Sequence, residues 1–377
     1  MSIHPIRGKW KSTMTDRERF NRQMHYQSVD RCFNMEFGYW KENFTQWDIF
    51  VDNNIRCTPE ANLFFSFDRI QYIGRATTFM SPPIEEKIIE VKEDSKIIIN
   101  QDGLVVEVPL DGRGSSIPHC LKSSITDPED WKKIKTEHFD LNHPSRKLDI
   151  EAIKKDLPDD EVRDFPLGIH CGSMIGKIRD MLTFEGLAYA VYDYPEMVED
   201  MVETVCRCVE QAMDQLLPHF KFDFAAGWED ICFNHGPIVS LDFFKEVVVP
   251  RYKRINNKLK AYGIDIWYTD CDGDIRPLLP LFLESGINCL FPYEVKSCIH
   301  PGVLFDEYGK DLRIMGGVDK MCLGEGPDSI KKYLQSLEKY VARGGFIPFC
   351  DHLCPPNVKP VDYLYYLDLK EKMFGMG

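Results

Sequence analysis

Residues 264–274, IDIWYTDCDGD, form a short apolar run that ends in three aspartates and a cysteine. Five further apolar runs also end in acidic, Cys or His residues: 165–172, 222–230, 287–294, 312–320 and 344–352. Stretches with helical periodicity separate the six runs. Strands that alternate with helices and carry polar residues at one end are typical of a (β/α)8 TIM barrel, whose active site lies at the carboxyl ends of its strands. The sequence therefore predicts an α/β barrel and an enzyme.

The rest of the chain fits one barrel domain over residues 1–377. Residues 1–30 are polar and helix-prone, and the run CFNMEF at 32–37 is a candidate first strand. A long helix is predicted from Pro195, because apolar side chains follow at steps of three and four residues. Residues 84–108 contain three β-rich runs broken by turn signals, which predicts a small β-hairpin or meander inserted in the barrel.

Composition and charge exclude some classes of function. The formal charge of −14 and a pI near 5.3 argue against a nucleic-acid-binding surface, which needs clustered Lys and Arg. No apolar run approaches the roughly 20 residues that span a bilayer, and no secretory signal follows Met1. The 13 cysteines are scattered through a chain of this size, which favours reduced thiols. We therefore expect a cytoplasmic protein that binds neither nucleic acid nor membrane.

The densest group of chemical side chains ends the run at 264–274. Residues of a strand alternate sides, so Asp270 and Asp272 are expected to face the same way. Two such carboxylates can bind a cation or share a proton as a general acid and base. Capping of the following helix is the structural alternative, and it is favoured for Asp274. Cys350 and His352 end the last strong run, so Asp270, Asp272 and Cys350 are candidate metal ligands and His352 a candidate catalytic group.

Other strand ends supply further candidates. Glu229 and Glu294 follow aromatic residues, a setting that raises a carboxyl pKa and suits proton transfer, so both are predicted to be catalytic. Counted from Glu229, the strand ends carry eight carboxylates against one cation, which indicates a mouth built for a cation or for protons. His170 to Ser173 lead into a helix whose first amides could bind an anion. The predicted substrate-binding residues are Glu36, Asp68, Trp228, Tyr268 and Lys320.

From about residue 17 onward the chain resembles the uroporphyrinogen decarboxylase superfamily, especially its decarboxylase-like members related to corrinoid-dependent methyltransferases. The resemblance is carried by GWEDICFNHGPIVSLDFFKEVVVPRYKRI, TDCDGDIRPLLPLFLESGIN, FPYEV, GGVDK, GGFIPFCDHLCPPNV and CGSMIGKIRDMLTFEGLAYAVYDYPEMVEDMV. It implies the barrel fold. It also implies porphyrinogen decarboxylation or zinc-dependent methyl transfer as the activity.

Two segments decide between these activities. True uroporphyrinogen decarboxylases hold the carboxylates of their tetrapyrrole with an Arg-rich N-terminal segment, where this chain has NMEFGYW at 34–40. Methylcobalamin:coenzyme M methyltransferases bind zinc through a His-x-Cys strand end and a distant Cys, and those positions correspond to Asp270, Asp272 and Cys350. The resemblance thus implies zinc at these residues and a corrinoid carried by a partner protein.

The preferred hypothesis is a methyltransferase that moves a methyl group from a small, methoxylated aromatic substrate to a corrinoid protein, an O-demethylation. A cofactor-free decarboxylase is the first alternative, and it needs cationic side chains at the mouth. A non-catalytic barrel that binds a tetrapyrrole or corrinoid is the second. A homodimer is a candidate assembly. The arginines that could serve a decarboxylase are Arg17, Arg19, Arg22, Arg56, Arg69 and Arg75.

Overall fold

The computed structural model describes residues 3–110, 119–233 and 236–375. Thirteen strands are found in these residues: β1 Gln71–Ile73, β2 Lys87–Val91, β3 Ser95–Ile99, β4 Leu104–Pro109, β5 His119–Ser123, β6 Leu167–His170, β7 Phe224–Trp228, β8 Cys232–Phe233, β9 Gly236–Pro237, β10 Trp267–Asp270, β11 Cys289–Tyr293, β12 Arg313–Val318 and β13 Phe346–Cys350. Seven of them form one parallel sheet in the order β1-β6-β7-β10-β11-β12-β13. The predicted α/β fold with a parallel sheet is therefore confirmed.

Helices separate the strands of this sheet, as the periodicity predicts. In chain order they are α1 Asp16–Met24, α2 Asn43–Gln46, α3 Asp48–Val51, α4 Thr58–Phe64, α5 Pro128–His138, α6 Ile150–Lys155, α7 Gly176–Leu182, α8 Phe184–Asp193, α9 Pro195–Leu216, α10 Leu241–Phe243, α11 Val249–Ala261, α12 Leu279–Ser285, α13 Pro301–Tyr308, α14 Lys320–Gly324, α15 Pro327–Arg343 and α16 Pro360–Phe374. The long helix predicted from Pro195 is α9. No helix in the described part of the chain is both long and apolar enough to cross a membrane.

Side chains on the two faces of the parallel sheet enter two different clusters. One face packs with α1 and with residues 33 and 35 into an inner core. The other face joins the larger core that the helices cover. Alternation along each strand produces this division. The inner core consists of Phe20, Met24, Phe33, Met35, Phe224, Ala226, Ile266, Tyr268, Cys289, Phe291, Met315, Ile347 and Phe349.

The predicted first strand at 32–37 is extended but is not assigned as a strand. Its amides find other partners: the amide of Phe33 donates to the side chain of Gln23, and that of Asn34 donates to Asp68. Phe33 and Met35 nevertheless belong to the inner core. Among the described residues no ladder joins this segment to β1 or β13, so closure into an eight-stranded barrel stays a prediction.

The predicted β insertion is confirmed as an antiparallel meander. Strands β2, β3, β4 and β5 form one four-stranded sheet, which extends past residue 108 to Ser123. Ile98, Leu104 and Val106 bury one of its faces. The turn between β3 and β4 is closed by the Asn100 side chain, which accepts hydrogen bonds from the amides of Asp102 and Leu104. This turn points the insertion at the carboxyl ends of the parallel strands, as described below.

Candidate active site

Three carboxylates and one imidazole meet at the carboxyl ends of β7, β10 and β13. Asp270 is the last residue of β10, while Asp230 and Asp272 lie two residues beyond β7 and β10. His352 follows β13 and places its Nε2 atom 3.3 Å from Oδ2 of Asp272. Parallel strands bring these ends to one edge of the sheet, where barrels carry their active sites. We call these four side chains the acidic cluster.

Asp270 is the member of the cluster whose carboxyl pKa is raised well above its ordinary value. It continues the inward alternation of Ile266 and Tyr268, so its carboxyl group faces the inner side of the sheet. Burial raises the pKa of Asp270 well above its ordinary value, and the charges of Asp272 and Asp230 raise it further. Desolvation and like charges both penalise the carboxylate. Both effects shift the equilibrium of Asp270 towards the protonated acid.

The other two carboxylates of the cluster, Asp272 and Asp230, differ in their polar contacts. Oδ1 of Asp272 is buried and has no hydrogen-bond partner among the described residues. Burial, followed by the charge of Asp272, raises the pKa of Asp230, while Arg179 opposes the rise. Asp230 also has a φ of 50°, a left-handed conformation that a non-glycine residue seldom adopts outside constrained sites. An unsatisfied acceptor and a strained backbone at one point are typical of a functional site.

His352 connects the acidic cluster to an aromatic wall. Burial lowers the pKa of His352, but the hydrogen bond and charge of Asp272 outweigh it and leave that pKa raised. The ring of His352 lies 5.3 Å from Phe37, which lies 5.2 Å from Phe291. Phe291 lies 4.6 Å from Tyr268, which stacks on Phe224 at 5.7 Å. The predicted substrate contact Tyr268 is only 6% exposed, so it forms the floor under the cluster.

The carboxylate of Glu229, which is predicted to be catalytic, accepts hydrogen bonds from backbone amides. Its carboxylate accepts hydrogen bonds of 2.7, 2.9 and 2.8 Å from the amides of Met174, Ile175 and Gly176, and the residue is fully buried. Burial raises the pKa of Glu229 to about 7, and these amides limit the rise. The amides at the start of α7 are thus occupied and do not form the predicted anion site. This placement favours a structural role for Glu229.

The predicted substrate contacts Glu36 and Asp68 are also buried in ion pairs. Glu36 accepts hydrogen bonds from Lys370 and from the hydroxyl of Tyr366, both at 2.8 Å. Asp68 precedes β1, so it lies at the amino ends of the strands. The guanidinium of Arg31 donates two hydrogen bonds to its carboxylate, of 2.6 and 2.7 Å. The backbone amides of Cys350 and Asn34 add further hydrogen bonds to Glu36 and Asp68, so fixed donors occupy much of the accepting capacity of both carboxylates. Neither residue is placed with the acidic cluster.

The predicted zinc ligands do not come together. Cys350 belongs to the outer core, whereas its neighbour Phe349 faces the inner core, so the thiol points away from the side that Asp270 faces. Burial beside Cys354 keeps the Cys350 thiol protonated, since its pKa is raised well above the ordinary value. In the described ranges no group of three or more His, Cys, Asp or Glu side chains is placed to hold a metal ion. The structure thus separates Cys350 from Asp270 and Asp272, and zinc at these residues stays a prediction.

Glu294 and Lys320 form an ion pair beside the cluster. Oε1 of Glu294 lies 2.6 Å from Nζ of Lys320, and both side chains are mostly buried. Asp351 accepts hydrogen bonds from the amides of Lys320 and Val295 at 3.0 and 2.9 Å. The charges of Glu294 and Lys320 reach His352 with opposite effects on its pKa. The catalytic role predicted for Glu294 and the substrate contact predicted for Lys320 stay predictions.

The opposite side of the mouth is cationic, which the sequence-based count of charges missed. Arg75 follows β1, Lys177 lies in α7, and both line a cavity with His170 and the predicted substrate contact Trp228. Arg179 lies over the Trp228 ring, with its guanidinium carbon 5.2 Å from the ring centroid. The predicted count of one cation covered only the strand ends from Glu229 onward, and these cations come from earlier segments of the chain. Arg179 near residues 170–173 was the available signal, whereas nothing in the sequence places Arg75 beside it.

Comparison with known proteins identifies the fold and no family. Neither the protein-family models nor the curated protein sequences give a match. A solved structure described as a methyltransferase from Methanosarcina mazei is similar, with a TM-score of 0.60 and 11% sequence identity. The similarity covers 95% of this chain and 98% of that one. It shows that the two chains share a fold.

Proposed function

We propose that this protein is a methyltransferase and that the acidic cluster is its reaction centre. One observation carries the proposal: Asp270, a half-buried acid whose pKa is raised well above its ordinary value, lies above an aromatic floor at the carboxyl end of a strand of the parallel sheet. The shared fold with a protein described as a methyltransferase supports it. We also propose that this sheet closes into an eight-stranded barrel, with residues 32–37, the predicted first strand, as the strand added to the seven.

The proposed reaction is removal of a methyl group from a methoxylated aromatic compound. When the methyl–oxygen bond breaks, the electron pair stays on the oxygen, which then needs a proton to become a stable hydroxyl group. Asp270 is the general acid that forms this O–H bond and is left as a carboxylate. The methyl group leaves to a nucleophilic acceptor. His352, hydrogen-bonded to Asp272 and partly exposed, is placed to return a proton from water to the cluster.

The acceptor that we propose is a corrinoid carried by a partner protein, which supplies the strong nucleophile that an unactivated ether requires. The chain's own residues then need only to bind the aromatic donor, exclude water and hold one proton. The wall of Phe37, Phe291 and Tyr268 suits a flat aromatic donor. Zinc and a homodimer stay predictions; elemental analysis and the mass in solution of the purified protein decide them.

The proposal is tested with purified protein, a panel of methoxybenzenes and free reduced cobalamin as acceptor, by following methylcobalamin absorbance. We expect turnover by the wild-type chain and its loss in Asp270→Asn. Asp274→Asn is the matched control, because Asp274 pairs with Arg276 at 2.7 Å outside the cluster. Turnover by Asp270→Asn at the wild-type rate contradicts the proposed acid, and absence of turnover across the panel contradicts the proposed reaction.

Decarboxylation is the second candidate, and Arg75 is the observation that favours it. Arg75 is the one arginine of the six candidates that lines the mouth cavity. Arg17 instead bonds Asp223 just before β7, and Arg69 lies over Phe165 before β6, so both lie at the amino ends of strands. Carbon dioxide release from carboxylated aromatics distinguishes this activity. Ligand binding without consumption favours the non-catalytic carrier.

A further inference from the structure

A cavity of about 260 Å³ lies beside the acidic cluster, and nothing in the proposed demethylation uses it. Its walls come from the segment after β1, the end of β6, the start of α7, the end of β7 and the β3–β4 turn of the insertion. Four of its lining residues are titratable: Arg75, Asp102, His170 and Lys177. With the imidazole neutral, their formal charges sum to +1.

Neither cation of the cavity is held by a strong ion pair. The exposed guanidinium of Arg75 has no hydrogen bond or ion pair in the described part of the chain. Nζ of Lys177 lies 3.5 Å from Asp102 and 3.5 Å from Asp180, which is long for a charge-assisted bond. Both cations can therefore exchange their present surroundings for a ligand anion at small cost.

His170 adds an uncharged donor to the same wall. Its Nδ1 accepts a hydrogen bond of 3.0 Å from the amide of Gly172, so the neutral ring carries its proton on Nε2. Burial, aided by the charges of Arg75 and Lys177, lowers the pKa of His170 to about 4, and the ring is neutral at physiological pH. Nε2 has no partner among the described residues. A donor without an acceptor, 9% exposed, lines the cavity beside two cations.

We infer that this cavity binds a single carboxylate, and that the carboxylate belongs to the aromatic methyl donor. The inference rests on the proposed function and names its substrate class as methoxybenzoates. Arg75 and Lys177 supply the charge, and Nε2 of His170 supplies a directed N–H. A net charge of +1 matches one carboxylate and disfavours a polyanion such as a porphyrinogen.

The cavity and the acidic cluster are close enough to hold two ends of one molecule. The charge of Arg75 acts on Asp270, lowering its pKa against the larger effect of burial. Trp228 lines the cavity and is paired in register with Asp270 across β7 and β10. An aromatic ring that spans the gap therefore has its carboxylate at Arg75 and its methoxy group at Asp270. Binding energy from the remote carboxylate then positions the reacting oxygen.

Substitution of Asp102 tests the inference through the opposite change in affinity, since it should tighten the binding of a carboxylate. It is the one carboxylate that lines the cavity, and its negative charge opposes the bound carboxylate while it holds Lys177. Asp102→Asn removes the repulsion and releases the ammonium group of Lys177. A merely structural role of this contact predicts weaker binding on substitution, whereas the carboxylate site predicts tighter binding.

The experiment is calorimetric titration of the full chain with para-methoxybenzoate and with para-methoxybenzamide, two ligands of similar shape of which only the first is charged. We expect the wild type to prefer the benzoate by about tenfold or more. The double variant Arg75→Gln with Lys177→Met removes the preference. Arg75→Gln alone reduces it, and this single variant keeps the test valid if the double variant does not fold. Asp102→Asn binds the benzoate more tightly and leaves benzamide binding unchanged. Arg56→Gln, an exposed arginine outside the cavity, is the control.

Equal affinity of the wild type for the two ligands, binding of neither at millimolar concentration, or an unchanged preference in Arg75→Gln overturns the inference. Asp270→Asn separates this inference from the proposed function, since it removes turnover but keeps the preference for the benzoate. A preference without turnover in any variant refutes the methyltransferase and supports the carboxylate site. Turnover of the benzamide at the rate of the benzoate refutes the carboxylate site alone.

Discussion

The acidic cluster and the acids around it look alike in the sequence and differ in the folded chain. The charge of Asp272 acts on Asp270, and one oxygen of Asp272 has no hydrogen-bond donor among the described residues. Glu36, Glu229 and Asp351, which we call the pinned carboxylates, accept bonds from backbone amides or from lysine and tyrosine side chains. A carboxylate whose oxygens already accept hydrogen bonds from fixed donors has no remaining capacity to accept one from a substrate. The carboxylates that keep this capacity are therefore the candidates for function.

Breaking the acidic cluster gives the largest effect on activity. Asp270→Asn removes the proton that the leaving oxygen needs, and we expect a loss of kcat of roughly 10²- to 10⁴-fold. Thermal unfolding remains near the wild-type temperature, because the neutral amide replaces a carboxyl group whose charged form burial and the charge of Asp272 already disfavour. Glu229→Gln gives the reverse pattern, with lower stability and smaller loss of kcat. Equal losses of kcat in the two variants contradict the division between the groups.

Breaking a pinned carboxylate gives the largest effect on stability. Lys370→Met leaves Glu36 buried without its cation, and we expect a loss of about 3–5 kcal/mol in the free energy of unfolding. The double variant Glu36→Gln with Lys370→Met recovers part of the loss, since no charge remains buried there. Urea unfolding measures both. A changed KM in the folded Lys370→Met protein restores the sequence-based prediction that Glu36 contacts substrate.

The pH dependence of kcat sharpens the comparison. Activity needs protonated Asp270, so the rate falls as the pH rises through the pKa of this group. Burial is the main cause of that raised pKa, and Asp272 adds to it while Arg75 opposes it. The alkaline limb therefore moves to lower pH in Asp272→Asn and to higher pH in Arg75→Gln. Glu36→Gln, in the pinned group, leaves the limb in place, and shifts of the same sign in the two former variants contradict the assignment to Asp270.

The smallest expected effect is the coupling between Asp272 and His352. Because Asp272 raises the folded-state pKa of His352, their attraction stabilises the fold at mildly acidic pH and is lost as the pH rises through that raised pKa. A double-mutant cycle with Asp272→Asn and His352→Gln should give about 0.2–1 kcal/mol, as for partly exposed pairs. Denaturant unfolding at two pH values measures it. A coupling that grows with pH contradicts the pairing.

Six of the seven described strands of the parallel sheet could be predicted because each is a short apolar run with a polar end, whereas β1, Gln71–Ile73, is only three residues long and was not predicted. The helix from Pro195 and the inserted antiparallel strands followed from periodicity and turn signals in the same way. The segment at 32–37 could not be distinguished from a strand, because its amides bond to Gln23 and Asp68, which lie elsewhere in the chain. Apolar alternation reports which side chains are buried, and it does not report which groups satisfy the backbone.

The site was predicted in part. Asp270 ends β10, Asp272 lies just beyond it and His352 follows β13, and they come together because the carboxyl ends of parallel strands lie at one edge of the sheet. Glu229 lies apart from them because it continues the outward alternation of Ala225, whereas Asp270 continues the inward alternation of Tyr268, and the catalytic role of Glu229 stays a prediction. The alternation was present in the sequence, but the direction of each strand's two faces was not. The cationic cavity was missed because Arg75, Asp102 and Lys177 come from three separate segments.

The chain order of the parallel sheet has a consequence for how the protein can change and assemble. In the parallel sheet, each strand from β6 onward pairs with the next across a connection that contains helix, whereas β1 reaches β6 across the whole inserted meander. Loop-closure entropy grows only by about 0.6 kcal/mol with each doubling of length, so the long connection is thermodynamically cheap. It is kinetically slow, because distant contacts form late. We expect β6 to β13 to assemble first, and lineages to exchange the meander freely while the sheet persists.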